Sequence, residues 1–447
     1  MTASTASREA SNSFANSAVS ASSPTPTIRR LSNGLTIIAE QMPIDAVNLS
    51  VWLNMGSVVE PDSINGMAHF LEHMIFKGTA EIACGEFERL VEERGAITNA
   101  ATSQDYTNYY ITTAPKDFAA LAPLQIELVM NPTFDEAHFE RERPVILEEI
   151  RRAEDSPQRR TFYRSMEMCF DELPYRRPVL GPTSVIEGLS AQQMRSFHAA
   201  WYQPQNMTAV VVGNLPVDEM VRVIEESFEQ ALGRRRTSSN DSLIQQAPST
   251  QPESPFAALR RSEYIDDALQ QARLIMGWRV PGMRELSETY ALDVVSSILS
   301  GGRTARFIDD LRERRHLVNS ISASNLSFGA QGIFYISAKV AVDKLEAAEA
   351  AILEHIKQLH EVRVTESELA RVRTKVANRY VFGSETPSDR AGLYGYYQAM
   401  TGNIRHALDY PEYIRQIDAE AVQSAVQRYL PLHAYGVVTL KPPATDS

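Results

Sequence analysis

Two histidines four residues apart, with a carboxylate directly before the second, stand in the run GMAHFLEHMIFKGT as His69-Phe-Leu-Glu72-His73. On a helix, positions i, i+3 and i+4 share one face, so these three side chains can converge on a single point. Neutral imidazole is the commonest zinc ligand, and two of them one turn apart supply half of a tetrahedral site. The chain has only nine histidines, so two of them at ligand spacing around a glutamate are poorly explained by coincidence. Met67, Phe70, Leu71 and Ile75 give the same helix a buried side. The run points to a metallopeptidase centre.

A catalytic zinc needs a third protein ligand and an open position. Downstream, FDEAHFERERPVILEEIRRAED (134–155) is a charged amphipathic segment in which Glu142 and Glu149 lie seven residues apart, on nearly the same helix face. Glu149 is the natural third ligand. Glu142, two turns back, is close enough to orient a ligating histidine from behind. Glu140 and Glu148 read as solvated, the ordinary fate of acids on an exposed face. Pro144 lies between the two glutamates, and proline is welcome only in the first turn of a helix. The helix carrying Glu149 is therefore expected to start or kink near Arg143, which makes the position of Glu142 less secure than that of Glu149.

These residues carry a family resemblance. The inverted order His-x-x-Glu-His marks the inverzincins, and a glutamate 76 residues after the second histidine, here Glu149, makes the chain resemble the pitrilysin/insulinase family. In size it is similar to the mitochondrial-processing-peptidase-like branch. The likeness runs from about Ile28 to Leu440 through NGxxHFLEHMxFKGT (65–79), GAITNAATSQDYTNYY (95–110), LGPTSVIEGL (180–189), YxPxNMTAVVVGN (202–214) and LSGGRTARFIDDLRERR (299–315).

Zn2+ in such a site lowers the pKa of water and polarises the scissile carbonyl. Glu72, next to a ligand but not itself one, is placed to take the water proton and pass it to the leaving amine. Thr98–Ser103 and Tyr106–Thr113 are rich in Thr, Tyr and Ile and read as strands after a helix at Glu86–Arg94. An edge strand can pair with an extended peptide, and the resemblance assigns this role beside the metal to Asn99 and Ala100. A plain turn role for Asn99 after Gly95 is the alternative.

The second half departs from the resemblance. Relatives carry an Arg and, seven residues later, a Tyr that hold substrate and stabilise the oxyanion. Here Arg312 is present, but Asn319 stands in the Tyr position. An oxyanion-hole donor is commonly worth ~2.7 to 4 kcal/mol. The expected arrangement is therefore a metal-bearing subunit whose homologous partner supplies the Arg/Tyr pair, or a homodimer in which Asn319 substitutes.

The 447 residues suffice for two or more domains, and 43% hydrophobic with 22% charged residues is a globular composition. No run approaches 18 apolar residues, so no membrane span is expected. Cys84 and Cys169 form no CxxC motif and imply no disulfide framework, which fits a reducing cytoplasm. A net charge of -12 argues against nucleic acid and weakly favours basic peptides. Residues 1–27, mostly Ser, Ala, Thr and Asn, read as a flexible tail; a transit peptide is the alternative from the Ser content and scarcity of acids, against which Arg8 as the only basic residue before Arg29 argues.

Alternating and apolar runs divide the rest into two halves. LSNGLTIIAEQ reads as a hairpin, VNLSVWLNM as a strand and TAVVVGN as a buried strand, with helices at Asn65–Phe76, Asp117–Met130, Ala191–Trp201 and Val217–Ala231. These form a metal-bearing domain over 28–233. A polar Ser- and Pro-containing stretch, 234–256, is the expected linker. Over 257–447 the order of elements repeats without the metal residues. QARLIMGWRV takes the place of the strand before the histidine helix, and SETYALDVVSSIL takes the place of that helix. SGGRT is expected to open the next helix, with long helices at Val342–Leu359 and Thr365–Phe382 completing the copy. The expected fold is α+β, two homologous halves that are each a mostly antiparallel sheet covered by helices, enclosing a chamber that admits unfolded or short peptides. A structural core subunit of a larger complex is the alternative, against which the complete set His69, Glu72, His73 and Glu149 argues.

Overall fold

The computed structural model describes residues 25–235 and 250–443. Nearly all of the expected tail, and residues 236–249 of the expected linker, lie outside the described residues.

The first half builds a six-stranded sheet from β1 (Thr27–Arg30), β2 (Thr36–Gln41), β3 (Val47–Leu53), β4 (Ile97–Thr102), β5 (Thr107–Thr113) and β6 (Met207–Gly213), in the order β1-β2-β6-β3-β5-β4. The second builds a five-stranded sheet from β7 (Arg260–Ile265), β8 (Ala272–Pro281), β9 (Ser320–Ser327), β10 (Gln331–Val340) and β11 (Gly436–Lys441), in the order β7-β11-β8-β10-β9. Strand for strand this is the first sheet without β1. Even the exceptional parallel pairs correspond, β2 with β6 and β7 with β11, while every other pairing is antiparallel. The duplication read from the order of elements is thus present in the topology. Apolar β-branched runs such as VVV in β6 occupy the interior positions, where both faces of a strand are covered and every residue is buried.

The helices of the first half are α1 (Met67–Ile75), α2 (Glu86–Glu93), α3 (Pro115–Met130), α4 (Glu136–Asp155), α5 (Pro157–Cys169), α6 (Thr183–Gly188), α7 (Ala191–Trp201) and α8 (Val217–Arg234). In the second half α9 (Leu286–Ser300) takes the place of α1, followed later by α10 (Leu345–Glu361), α11 (Glu366–Phe382) and α12 (Pro387–Thr401). Starts are set locally: Asp135 caps α4 by accepting from Ala137 and His138, and Thr365 with Glu368 forms a reciprocal capping box on α11. Instead of the regular helix expected after SGGRT, a π-helical turn spans Ile308–Arg314 and carries Arg312.

The fresh start expected near Arg143 does not occur: α4 is one helix with Pro144 inside it. Proline leaves the carbonyl four residues back without its usual donor. That loss is offset by what α4 buries, because Phe139 stacks on Phe70 of α1 at 4.4 Å and Ile146 and Ile150 enter the core. Arg143 also reaches across to the carbonyls of Ile186, Glu187 and Leu189.

The two halves cover one another's sheets. A sheet has two faces to bury, and α12 from the second half packs on β3 and β6 of the first, joining Ala391 and Tyr394 to Ile38, Trp52, Val210 and Val212. Gly395 makes the approach possible, since a β-carbon there would fall 2.0 Å from Trp52 Nε1. Glu40, buried in the same contact, accepts from Arg390 at 2.6 Å and Tyr394 at 2.7 Å. In return α5 of the first half lies on β8 and β11, with Cys169 against Gly277 and Met168 against Gly436. The described end of the expected linker is held in place as well. Glu253 accepts from the backbone N–H groups of Asp171, Glu172 and Leu173 and pairs with Arg279 at 2.7 Å.

Candidate metal centre

Helix α1 divides its side chains by face. Phe70, Leu71, Met74 and Ile75 are buried in the core, and His69, Glu72 and His73 lie on the opposite side. Its N-terminus is fixed by a residue the spacing rules miss: Glu60, buried seven residues before Met67, accepts from Asn65 Nδ2 at 2.9 Å and from the backbone N–H groups of Gly66 and Ala68 at 2.8 and 2.7 Å. These donors are the free N–H groups that every helix start exposes, and a carboxylate also suits the helix dipole there. Burial pushes the Glu60 carboxyl up to about 7, against the pull of those donors and of Arg177. Gly66 turns the chain into the helix at φ 99, a left-handed conformation, with Leu180 O only 2.6 Å from where a β-carbon would be.

The stacked Phe70–Phe139 pair sets α4 against α1, so Glu142 and Glu149 face the histidines. His69, His73 and Glu149 offer ligand atoms that all lie within 4.8 Å of one another, and among the described residues no other such cluster of His, Cys, Asp and Glu occurs. Glu149 Oε2 is 3.5 Å from His69 Nε2 and 3.7 Å from His73 Nε2. Zinc bonds of ~2.0–2.2 Å to nitrogen and oxygen place tetrahedral ligands roughly 3.4 Å apart, so the donors are spaced as three corners around one ion. A zinc ion fits this set. The donors are also chemically right for it, two imidazoles and a carboxylate. Burial, with smaller contributions from the charges of His73 and Arg159, pushes His69 down to about 3, which keeps its ring in the neutral, ligating form.

Glu142 Oε1 lies 3.0 Å from His73 Nδ1, and its other oxygen pairs with Lys77 Nζ at 2.7 Å. Burial raises this carboxyl, but Lys77 and His73 outweigh it and hold it below the usual range. A carboxylate on the far nitrogen fixes the tautomer so that Nε2 presents its lone pair toward Glu149. Among the described residues His69 Nδ1 has no such partner and is buried without a hydrogen bond. Changing Glu142 to Ala should lower zinc affinity about 10–100-fold, measured by competition with a chromophoric chelator. An unchanged affinity would show that the Glu142 contact does not tune His73.

Glu72 stands apart from the three donors. It accepts from the Thr102 hydroxyl, and burial raises its carboxyl above the usual carboxylate range, with Thr102 and His73 pulling the other way. Thr102 ends β4, which is the edge strand of the first sheet, paired only with β5 and with Asn99 exposed and Ala100 half-buried. The expected strand pair is therefore present beside the metal-ligand cluster, with one row of backbone groups open. Among the described residues neither Arg312 nor Asn319 bonds to the metal donors. Arg312 is bonded to its neighbour Glu313, and Asn319 is exposed where β9 begins, its N–H donating to Lys339 O at 2.9 Å. Besides Glu60, the sequence reading missed Lys77 and Thr102. Lys77 was within reach, being one turn after His73, whereas the Thr102 contact joins a strand to a helix 30 residues away.

Two like α+β halves, with a His-x-x-Glu-His helix and a distant acid in only the first, are the arrangement of a metallopeptidase. The chain belongs to the insulinase family of peptidases, M16. The model of "Insulinase (Peptidase family M16)" matches residues 35–183, and that of "Peptidase M16 inactive domain" matches 188–376. The second match takes in the end of the first half and much of the second, and among its described residues no cluster of metal donors occurs. Among relatives, an "uncharacterized zinc protease" of Rickettsia bellii is 28% identical over 89% of this chain and 93% of its own length. "Zinc protease PqqE" of Helicobacter pylori is 25% identical over 92% of each. The crystal structure of a protease from Helicobacter pylori superposes with a TM-score of 0.86 at 24% identity, covering 94% of this chain and all of that one. Pitrilysin superposes at 0.74 and 19% identity, with 94% of this chain matching 45% of it.

Proposed function

We propose that this chain is a zinc-dependent endopeptidase that cuts short or unfolded peptides, with His69, His73 and Glu149 as metal ligands and Glu72 as the proton carrier. One observation carries the reading: three donors suited to zinc meet at one point while a further, half-buried carboxyl, that of Glu72, stands beside them with its own partner. Bound there, zinc supplies Lewis acidity toward water and toward the scissile carbonyl. Glu72 takes the proton from the attacking water and delivers it to the leaving nitrogen, and its raised pKa suits a group that must both accept and return a proton. Thr102 holds the carboxyl of Glu72 in place. The open edge of β4 at Asn99 and Ala100 pairs with the substrate as an added strand, which selects extended chains.

Glu142 steadies His73. Arg312 and Asn319 act on substrate only in an assembly, because Arg312 is tied to Glu313 and neither bonds to the metal donors. This supports the metal-bearing subunit of a two-chain enzyme over a self-sufficient one, and a homodimer as the simpler assembly. Cys84, exposed, and Cys169, buried, are unpaired, which suits a cytoplasmic protein. No helix among the described residues is long and apolar enough to cross a membrane. The test is digestion of a peptide mixture by the chain with any copurifying partner. Cleavage should stop on chelation and return with zinc, and should spare a rigid folded domain. Cleavage that persists after the metal has been stripped would overturn the reading.

A further inference from the structure

A cavity of about 830 Å³ lies between α5 and the second sheet, and its wall has an unusual charge. Four cations line it, Arg159, Arg177, Arg273 and Lys339, and no carboxylate does. Arg177 is already paired with Asp62 at 2.7 Å and donates to the carbonyls of Ser57 and Glu60. The other three are in no ion pair with a carboxylate among the described residues. The next residue along, Arg160, shows the ordinary outcome, pairing with Asp266 at 2.7 Å. Arg273 and Lys339 are direct cross-strand neighbours on β8 and β10. Like charges so placed repel and destabilise a sheet, unless an anion lies between them. Ser320, Ser322 and Ser337, on the same wall, add hydroxyl donors suited to a carboxylate. A protein of net charge -12 thus keeps a cleft whose only charges are positive, with Arg273 half-buried and Arg159 and Lys339 exposed at its rim, and a cleft lined by one sign of charge attracts anions whatever the overall charge.

The cavity is reached along the chain from the metal-ligand cluster, although none of His69, Glu72, His73 and Glu149 lines it. Its lining includes Gln104, two residues after Thr102, and Ser156, at the end of α4. Ser156 is seven residues beyond Glu149, about 10 Å along a helix, which an extended peptide spans with about three residues.

We propose that this cavity is a carboxylate-binding subsite for the substrate, formed by Arg159, Arg273 and Lys339. It takes an Asp or Glu side chain, or a free C-terminal carboxylate, about three or more residues from the bond cut at the cluster. The inference rests on the peptidase reading above for its geometry. It also reverses the leaning toward basic peptides that net charge alone suggests.

Four fluorescent peptides of one length and backbone test it: internal Glu or Gln, each with a C-terminal acid or amide. Binding is read by anisotropy on the zinc-loaded full chain carrying Glu72→Gln, so that turnover does not interfere. At least one carboxylate form should bind about tenfold more tightly than the Gln amide, since hydrogen bonds to charged groups exceed neutral ones by about that factor. The preference should weaken with salt and vanish in the double variant Arg273→Gln, Lys339→Gln. Whether the Glu or the free acid arm carries it identifies the source. Equal binding of all four peptides by the parent, or a preference that survives the double variant, overturns the subsite. If the double variant does not fold, the comparison among the four peptides decides. Wild-type chain cutting all four equally, with equal binding, would leave the peptidase standing and the subsite refuted. Selective binding with no cleavage of any peptide, even with a partner and zinc, would do the reverse.

Discussion

Replacing Glu72 by Gln should leave one zinc per chain and the melting temperature in place while lowering kcat about a hundred- to ten-thousandfold, the range that a positioned general base supplies. The amide is nearly isosteric, can still face Thr102 and cannot take a proton. Because Glu72 is not among the three converging donors, its loss should not touch the metal. Zinc analysis and steady-state kinetics on the same preparation check both halves of the expectation. Full activity in the variant would move the proton carrier elsewhere, and loss of zinc would make Glu72 a ligand.

Glu149→Ala should have the opposite signature. Removing one of three protein donors should weaken zinc by more than the 10–100-fold that outer partners of a ligand control, and activity should disappear with the metal. The fold should survive, because the Glu149 side chain is 38% exposed and the cluster lies beside the core rather than within it. Dialysis against zinc buffer followed by metal analysis gives the occupancy, and thermal unfolding gives the stability. A variant that kept stoichiometric zinc would point to Glu142 as the third ligand. The two substitutions together separate holding the ion from using it.

Most of the site was legible in the sequence because its parts are local or periodic. His69, Glu72 and His73 fall within two turns of one helix, and Glu142 and Glu149 share a face of another by their spacing of seven. The strands flanking the site, Ile97–Thr102 and Thr107–Thr113, follow from their Thr and Tyr content and begin and end within a residue of where they were expected. What pattern could not supply is what crosses between elements. Glu60 caps α1 from eight residues upstream of Ala68 across two short turns, a distance that capping signals do not search. Pro144 reads in sequence as a helix start or kink, and the start does not occur because the packing of Phe139, Ile146 and Ile150 that keeps α4 continuous is tertiary.

The exchange of α5 and α12 between halves was likewise invisible. Each helix is amphipathic in its own right, and nothing in its periodicity says which sheet it will cover. Only the glycines at the contacts, Gly277, Gly395 and Gly436, hint at it, and a glycine in sequence does not name its partner. The cationic cavity is the clearest case. Arg159, Arg273 and Lys339 are far apart in the chain, and overall charge pointed the other way.

In the proposed site two imidazoles and one distant carboxylate share a single ion. Zinc-edge X-ray absorption on the purified chain tests this most directly. It should show one zinc per chain with nitrogen and oxygen neighbours at about 2.0–2.2 Å and no sulfur. A chain that takes up no stoichiometric zinc, or a spectrum with sulfur at about 2.3 Å, would contradict it.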